Sequence, residues 1–229
     1  MFSKLPREVR DKIYTFALPM GYWQTGDVDD YDEFSFARSI GDPSGFYFPL
    51  SSELTVLRVD RQMRQEALPL AYRRTVFHFD DMEDLIKLLI AVGRIGRDNI
   101  QSVELAWESR ADSELKWDEA QDSDDIYLSL PTLHAAKCVQ LLKQCKRLEF
   151  LRLYFESDLI DAMSLDAFKT DPGIRELCSI RGIQSVQIWD LGHEPIEQRV
   201  LAKWLKGEME SPKVGGGNER EIGKRGCNP

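Results

Sequence analysis

An α/β fold is what this sequence predicts: a small, mainly parallel sheet with a helical segment ahead of it. Three observations carry that expectation. From residue 75 to residue 206, short runs rich in β-branched, aromatic and leucine residues alternate with amphipathic stretches of helical period. Two of the runs echo each other, Ile100-Gln101-Ser102-Val103-Glu104-Leu105-Ala106-Trp107 and Ile183-Gln184-Ser185-Val186-Gln187-Ile188-Trp189. Cys145-Lys146-Arg147-Leu148-Glu149-Phe150-Leu151-Arg152-Leu153 holds the equivalent place between them. Strand–helix–strand alternation of this kind implies parallel strands joined by right-handed crossovers.

The first element is a helix. Pro6 stands where it begins, because a missing N–H costs nothing in a first turn and the proline φ is already helical. Val9, Ile13, Phe16 and Ala17 then recur at helical spacing with charged residues between them. The helix ends near Leu18-Pro19, since a residue before proline is pushed out of the α region. A helix this short is marginal alone in water, so its apolar side must pack on something. Two readings stand: Leu5, Val9, Ile13 and Phe16 are core residues of their own domain, or they are a surface for a partner.

Residues 19–50 are rich in Gly, Asp and aromatic residues and keep no clean period. They read as a long loop or insertion, with a short hairpin around Phe46-Tyr47-Phe48. Helical pattern returns at Ser52-Glu53-Leu54, where Ser51 or Ser52 can cap the first turn. Leu54, Leu57, Met63, Ala67 and Ala71 line one side of one or two helices, which Pro69 kinks or divides.

The alternating region follows. Thr75-Val76-Phe77-His78-Phe79 reads as a strand, and residues 81–92 as a helix burying Met82, Leu85, Ile86, Leu89 and Ile90. A strand at 102–107 leads into a polar, acid-rich excursion over 108–125, then a helix near 133–145 with Ala135, Cys138, Val139 and Leu142 on one face. A strand at 148–155, a helical or irregular crossover through Ile174 and Leu177, and a strand at 185–189 complete the pattern. The spacing is unequal, so the repeat is degenerate. A last helix spans Pro195 to Lys206 with Ile196, Val200, Leu201, Trp204 and Leu205 on one side and Gly207 as its stop. Beyond it little can be buried, and disorder is expected. The organisation expected is therefore 1–74, helical with an insertion at 19–50; 75–206, α/β; and 207–229, a disordered tail.

Composition narrows the function. The chain has 229 residues, 42% hydrophobic and 30% charged, as in an ordinary globular protein, and is long enough for a real core. A formal net charge of −9 argues against a nucleic-acid partner, which would call for a basic excess. The longest apolar stretch, Leu85 to Val92, is interrupted by Lys87 and is too short to span a bilayer, so no membrane partner is expected. The opening residues lack the order of a secretory signal, and Cys138, Cys145, Cys178 and Cys227 have no CxxC spacing. An intracellular protein, cytoplasmic or nuclear, is the expectation.

Catalytic chemistry finds little support. His78, His134 and His193 are the three histidines, and none has a second ligand at metal spacing. Gly41-Asp42-Pro43-Ser44-Gly45 is no nucleophile elbow, and Gly93-Arg94-Ile95-Gly96 follows a helix, the wrong context for a phosphate loop. The acidic runs at 27–33 and 118–125 lack calcium-loop spacing. Cys145 falls at a helix C-terminus, where the dipole raises a thiol pKa. No catalytic residue, cofactor or metal is expected; an enzyme using the carboxylates of the acidic loops is the least favoured alternative, behind an interaction protein. Arg58, Arg61 and Arg64 form a basic stripe that either meets an acidic partner or pairs locally with Asp60 and Glu66 on a solvated face.

A resemblance adds to this reading. Leu5-Pro6-Arg7-Glu8-Val9-Arg10-Asp11-Lys12-Ile13-Tyr14 resembles the start of an F-box, Leu-Pro-x-Glu followed by an apolar helix. With Leu54-Thr55-Val56-Leu57-Arg58-Val59-Asp60-Arg61-Gln62-Met63-Arg64-Gln65-Glu66-Ala67 and the Tyr72 to Phe79 segment, the chain is similar to the F-box-like proteins of filamentous fungi. The resemblance covers 2–18 and 52–79, and the sheet more loosely. It implies a helical module packed on a leucine-rich-repeat-like sheet with helices on one side. The module would dock on the adaptor of a cullin-type ubiquitin ligase, and the sheet would recruit a protein target of unknown identity. Leu5, Pro6, Val9 and Ile13 would supply first-helix contacts to that adaptor, and Leu54, Leu57 and Val59 contacts from the second segment. An F-box runs its helices almost consecutively; here residues 19–50 intervene.

Overall fold

The structure, a computed structural model, describes residues 2–18, 20–24, 59–119 and 129–212. Leu54, Leu57, the expected hairpin, the acidic run at 27–33, Arg58 and Cys227 lie outside the described residues. Five strands form one all-parallel sheet in chain order: β1 (Gly21–Gln24), β2 (Thr75–Phe79), β3 (Ser102–Ala106), β4 (Phe150–Phe155) and β5 (Ser185–Asp190). The order never reverses, and right-handed crossovers then lie on the same side of the sheet throughout.

Among the described residues the α-helices α1 (Arg7–Ala17) and α2 (Arg61–Arg74) precede β2. α3 (Met82–Ala91) and α4 (Gly93–Arg97) connect β2 to β3, and α5 (Arg110–Glu119) and α6 (Ala135–Leu142) connect β3 to β4. α7 (Ser157–Ala162), α8 (Leu165–Thr170) and α9 (Pro172–Leu177) lie between β4 and β5, and α10 (Val200–Glu210) follows β5. Side chains alternate across a strand, so the two sheet faces differ. One face carries Phe77, Phe79, Val103, Leu105, Leu151, Leu153, Val186 and Ile188, all fully buried in one core with Leu85, Leu89, Val139, Ile174, Leu177 and Leu205 of the helices.

Several elements depart from expectation. β1 lies inside the stretch read as a loop; four residues at a sheet edge carry too little pattern to stand out. α2 passes through Pro69 undivided, held across it by buried Ala67, Leu68, Ala71 and Tyr72, and runs into β2 where the Thr75 hydroxyl donates to the Ala71 carbonyl at 2.9 Å. The acid-rich excursion after β3 contains α5. Ile90, expected inside, is exposed, and Leu88 is buried in its place. Pro195 does not begin the last helix; it pairs with Trp189 in an antiparallel bridge, and α10 starts at Val200. Gly207 does not stop that helix. The space beside it is open, so a glycine costs the helix only its own poor propensity, and fully buried Met209 anchors the turn beyond.

The glycines near residue 95 have a steric explanation. Gly93 takes φ 58°, the left-handed region that lets α3 turn into α4. A Cβ on Gly96 would stand 2.3 Å from the Val92 Cβ and 3.2 Å from the Tyr72 ring.

Candidate functional site

α1 presents its apolar column outward. Leu5 is 36% exposed, Val9 41%, Ile13 39% and Phe16 90%, and Pro6 is exposed beside them. The residues that bury α1 are Tyr14 and Leu18, with the Phe2 ring 5.6 Å from that of Tyr14. Periodicity found the apolar stripe but not the side on which the helix packs.

Glu66 of α2 decides that side. Its carboxylate accepts from Arg10 Nε and Nη2 at 2.8 Å each, from the Tyr14 hydroxyl at 2.9 Å and from Gln62 Nε2 at 3.1 Å. The Arg10 hydrogen bonds, against some loss of solvation, hold the Glu66 carboxyl down to about 2. Burial, then the bond to Glu66, pushes the Tyr14 phenol up to about 12. Glu66 therefore pairs across to α1, and Asp60 caps α2 by accepting from the Met63 N–H at 2.8 Å. Val59, of the second expected segment, is 64% exposed at the entrance to that helix.

The second surface is the other face of the sheet. His78, Glu104, Arg152 and Gln187 stand in register, one from each of β2 to β5. Glu104 is its centre. Its Oε2 lies 3.2 Å from His78 Nδ1 and accepts from the hydroxyls of Tyr154 at 3.0 Å and Tyr22 at 3.2 Å, while Oε1 accepts from Arg152 Nη1 at 2.9 Å. Burial, the largest single effect, raises the Glu104 carboxyl, but His78, the Arg152 charge and the two tyrosines together hold it below its ordinary value. The other ring nitrogen of His78 lies 3.3 Å from Asp80.

Arg152 lies 4.2 Å over the Trp189 ring and donates to Gln187 Oε1 at 2.9 Å. His193 takes φ 64° in the turn after β5, which sets its ring 5.2 Å from Tyr154. A carboxylate already accepting from four groups and held below its usual range is a poor proton donor or acceptor. What the row offers is a rigid surface of fixed charge with Tyr22 and Trp189 at its rim. Sequence reasoning missed it, although a polar residue stood at the middle of each echoed strand: Glu104, Arg152 and Gln187.

His78 belongs to this row, His134 takes φ 62° at the start of α6, and His193 covers Tyr154. Among the described residues no group of three or more His, Cys, Asp or Glu is placed to hold a metal. Burial raises the Cys145 thiol to about 12 and the Cys178 thiol to about 11, and Cys138 further still. No helix of the described residues is long and apolar enough to cross a membrane. No family model, no curated protein and no solved structure matches this chain.

Proposed function

We propose that this chain is a non-catalytic, intracellular, F-box-like protein-interaction protein, a substrate receptor of a cullin-type ubiquitin ligase. The observation that carries the reading is the outward apolar column Leu5, Val9, Ile13 and Phe16 on a helix already anchored from its other side by Glu66. An apolar stripe exposed on an anchored element suits a partner surface better than a core. In this reading Leu5, Pro6, Val9 and Ile13, with Leu54, Leu57 and Val59, contact the adaptor. The parallel sheet, in chain order with one apolar face turned to the helices, is leucine-rich-repeat-like, and its polar face recruits the target.

A second reading, an interaction protein of the same fold with no ligase link, is favoured by β1. That strand ties the segment between α1 and α2 into the sheet, so the N-terminal helices are not a separate module. Affinity purification of the tagged chain from a fungal extract, followed by mass spectrometry, separates the two. The receptor reading expects the ligase adaptor among the recovered proteins and its loss with Leu5→Ala and Pro6→Ala together in a folded protein. Absence of the adaptor, or recovery that the double substitution leaves unchanged, contradicts it.

A further inference from the structure

The amino ends of the strands carry positive charge that the fold does not neutralise. Val76, Ser102 and Phe150 are register partners on β2, β3 and β4. Arg73, Asn99 and Arg147 each stand three residues ahead of them, so the topology brings all three to one edge of the sheet. Asn99 holds the first arginine: its Oδ1 accepts from Arg73 Nε at 3.0 Å and Nη2 at 2.7 Å, and its amide donates to the Ile95 carbonyl at 2.9 Å. A neutral amide fixes the guanidinium in place and leaves its charge unpaired. Burial, then the like charge of Arg147, lowers the Arg73 pKa, and only Asp11 acts the other way.

Arg73, Arg74 and Arg147 form no ion pair among the described residues. The acids of this edge are turned to other partners. Asp98 accepts from Lys146 at 2.8 Å and from Arg94 at 3.3 Å, and Asp11 accepts from Arg7 at 2.7 Å. Glu149, exposed just ahead of β4, faces the Gln101 amide at 3.5 Å. The negative end of α2, whose last turn holds Arg73 and Arg74, offsets about half a charge. Most of the positive charge therefore stays uncompensated, in a chain whose formal net charge is −9. Two guanidinium groups that repel each other are both relieved by one carboxylate, which accepts charge-assisted hydrogen bonds from each.

We propose that the edge holding Arg73 and Arg147 receives a carboxylate of an acidic, extended segment of the protein target. Arg147 is exposed and makes the first contact. Arg73, half-buried and pre-positioned by Asn99, makes the second through the donors that Asn99 leaves free. The proposal rests on the reading that the sheet region recruits a protein. It adds the chemistry of that target: aspartate or glutamate where the segment crosses the amino ends of β2 to β4. A nucleic acid suits this edge less, because the net charge of the whole chain repels a long polyanion.

The test uses the full chain and fluorescent peptides of one frame, Gly-Ser-X-X-X-Ser-Gly, with X as Glu, Gln or Lys, read by anisotropy. The Glu peptide is expected to bind and the Gln and Lys peptides not. Arg147→Gln, a change at an exposed site, should weaken binding of the Glu peptide at least about fivefold, and Arg147→Glu should abolish it. Asp98→Asn removes a competing carboxylate and should tighten binding several-fold, a gain that no loss of fold can mimic. Lys203→Gln, at an exposed cation of α10, should change nothing. Binding should fall as added salt shortens the screening length from about 30 to 8 Å. No binding of the Glu peptide, equal binding of the Glu and Gln peptides, or affinity unmoved by the Arg147 variants would each overturn the proposal. So would an equal loss in Lys203→Gln, no tightening in Asp98→Asn, or a short DNA duplex bound as tightly as the Glu peptide. Arg147 and Asp98 lie outside the α1 column that adaptor recovery tests, so failure here is distinct from failure of the receptor reading.

Discussion

Arg10 closes a two-point ion pair on Glu66, Nε to Oε2 and Nη2 to Oε1, each at 2.8 Å, across 56 residues of sequence. This contact, completed by the Tyr14 hydroxyl, fixes the rotation of α1 on α2. The rotation in turn sets Leu5, Val9, Ile13 and Phe16 outward. A polar pair thus controls where an apolar surface faces.

Loss of that pair is costly. Glu66→Gln is expected to lower the unfolding free energy by about 2 kcal/mol, and Arg10→Gln to lower it as well, with the double variant losing less than the sum. Urea unfolding of the four proteins checks it. The Glu66 carboxyl titrates near 2 when folded against an ordinary value of 4.5. A carboxyl lowered on folding contributes stability that is complete above the unfolded value and lost as pH falls through the folded one. The acid limb of wild type between about pH 4.5 and 2 should therefore be steeper than that of Glu66→Gln.

The same reasoning applies to the sheet. Glu104→Leu leaves His78, Arg152 and Tyr154 without their shared acceptor, and a loss of about 2–3 kcal/mol is expected. Tyr154→Phe removes one donor and should lose about 1 kcal/mol. Thermal unfolding by circular dichroism measures both; equal stability of Glu104→Leu and wild type would mean the row does not act as one network.

Gly96 is a packing glycine. Gly96→Ala places a methyl against Val92 and Tyr72 and should destabilise by about 1–3 kcal/mol, whereas Gly207→Ala, in open space, should stabilise by several tenths up to about 1 kcal/mol. Paired denaturant titrations give the two signs.

Legibility in the sequence followed the strength of each pattern. β2 to β5 and the helices α1, α3 and α6 were readable because each joins a hydrophobic period to a clear boundary. β1 was not, since Gly21–Gln24 is short and its pairing with β2 is a long-range fact. α10 was misplaced at both ends for a related reason: Pro195 and Gly207 are local signals, and the Trp189 bridge and buried Met209 override them. Of the candidate surfaces, the composition of the α1 stripe was visible but its direction was not. That direction depends on Glu66, which entered the sequence reading only as a local partner, in one of two alternatives, for the stripe Arg58, Arg61 and Arg64. The row through Glu104 depends on register across parallel strands, which no single strand records. Cys145 was read as raised by a helix C-terminus; the dominant cause in the fold is burial.

The thiols offer a direct probe of that burial. With values near 12 for Cys145 and 11 for Cys178, and Cys138 higher, little thiolate exists at pH 8. Iodoacetamide labelling mapped by mass spectrometry should leave Cys138 and Cys145 unmodified in the native protein and label both in urea. Rapid native labelling of Cys138 would show that the core around α6 opens.

The central claim is that the outward column of α1 is a docking surface for a ligase adaptor. Its most direct measurement is calorimetric titration of the purified chain with the purified adaptor subunit, for wild type and for Ile13→Asp, with circular dichroism confirming the fold of both. The receptor reading predicts saturable binding by wild type and a loss of at least about tenfold in Ile13→Asp at unchanged stability. No heat of binding from wild type, or equal affinity in the folded variant, would contradict it.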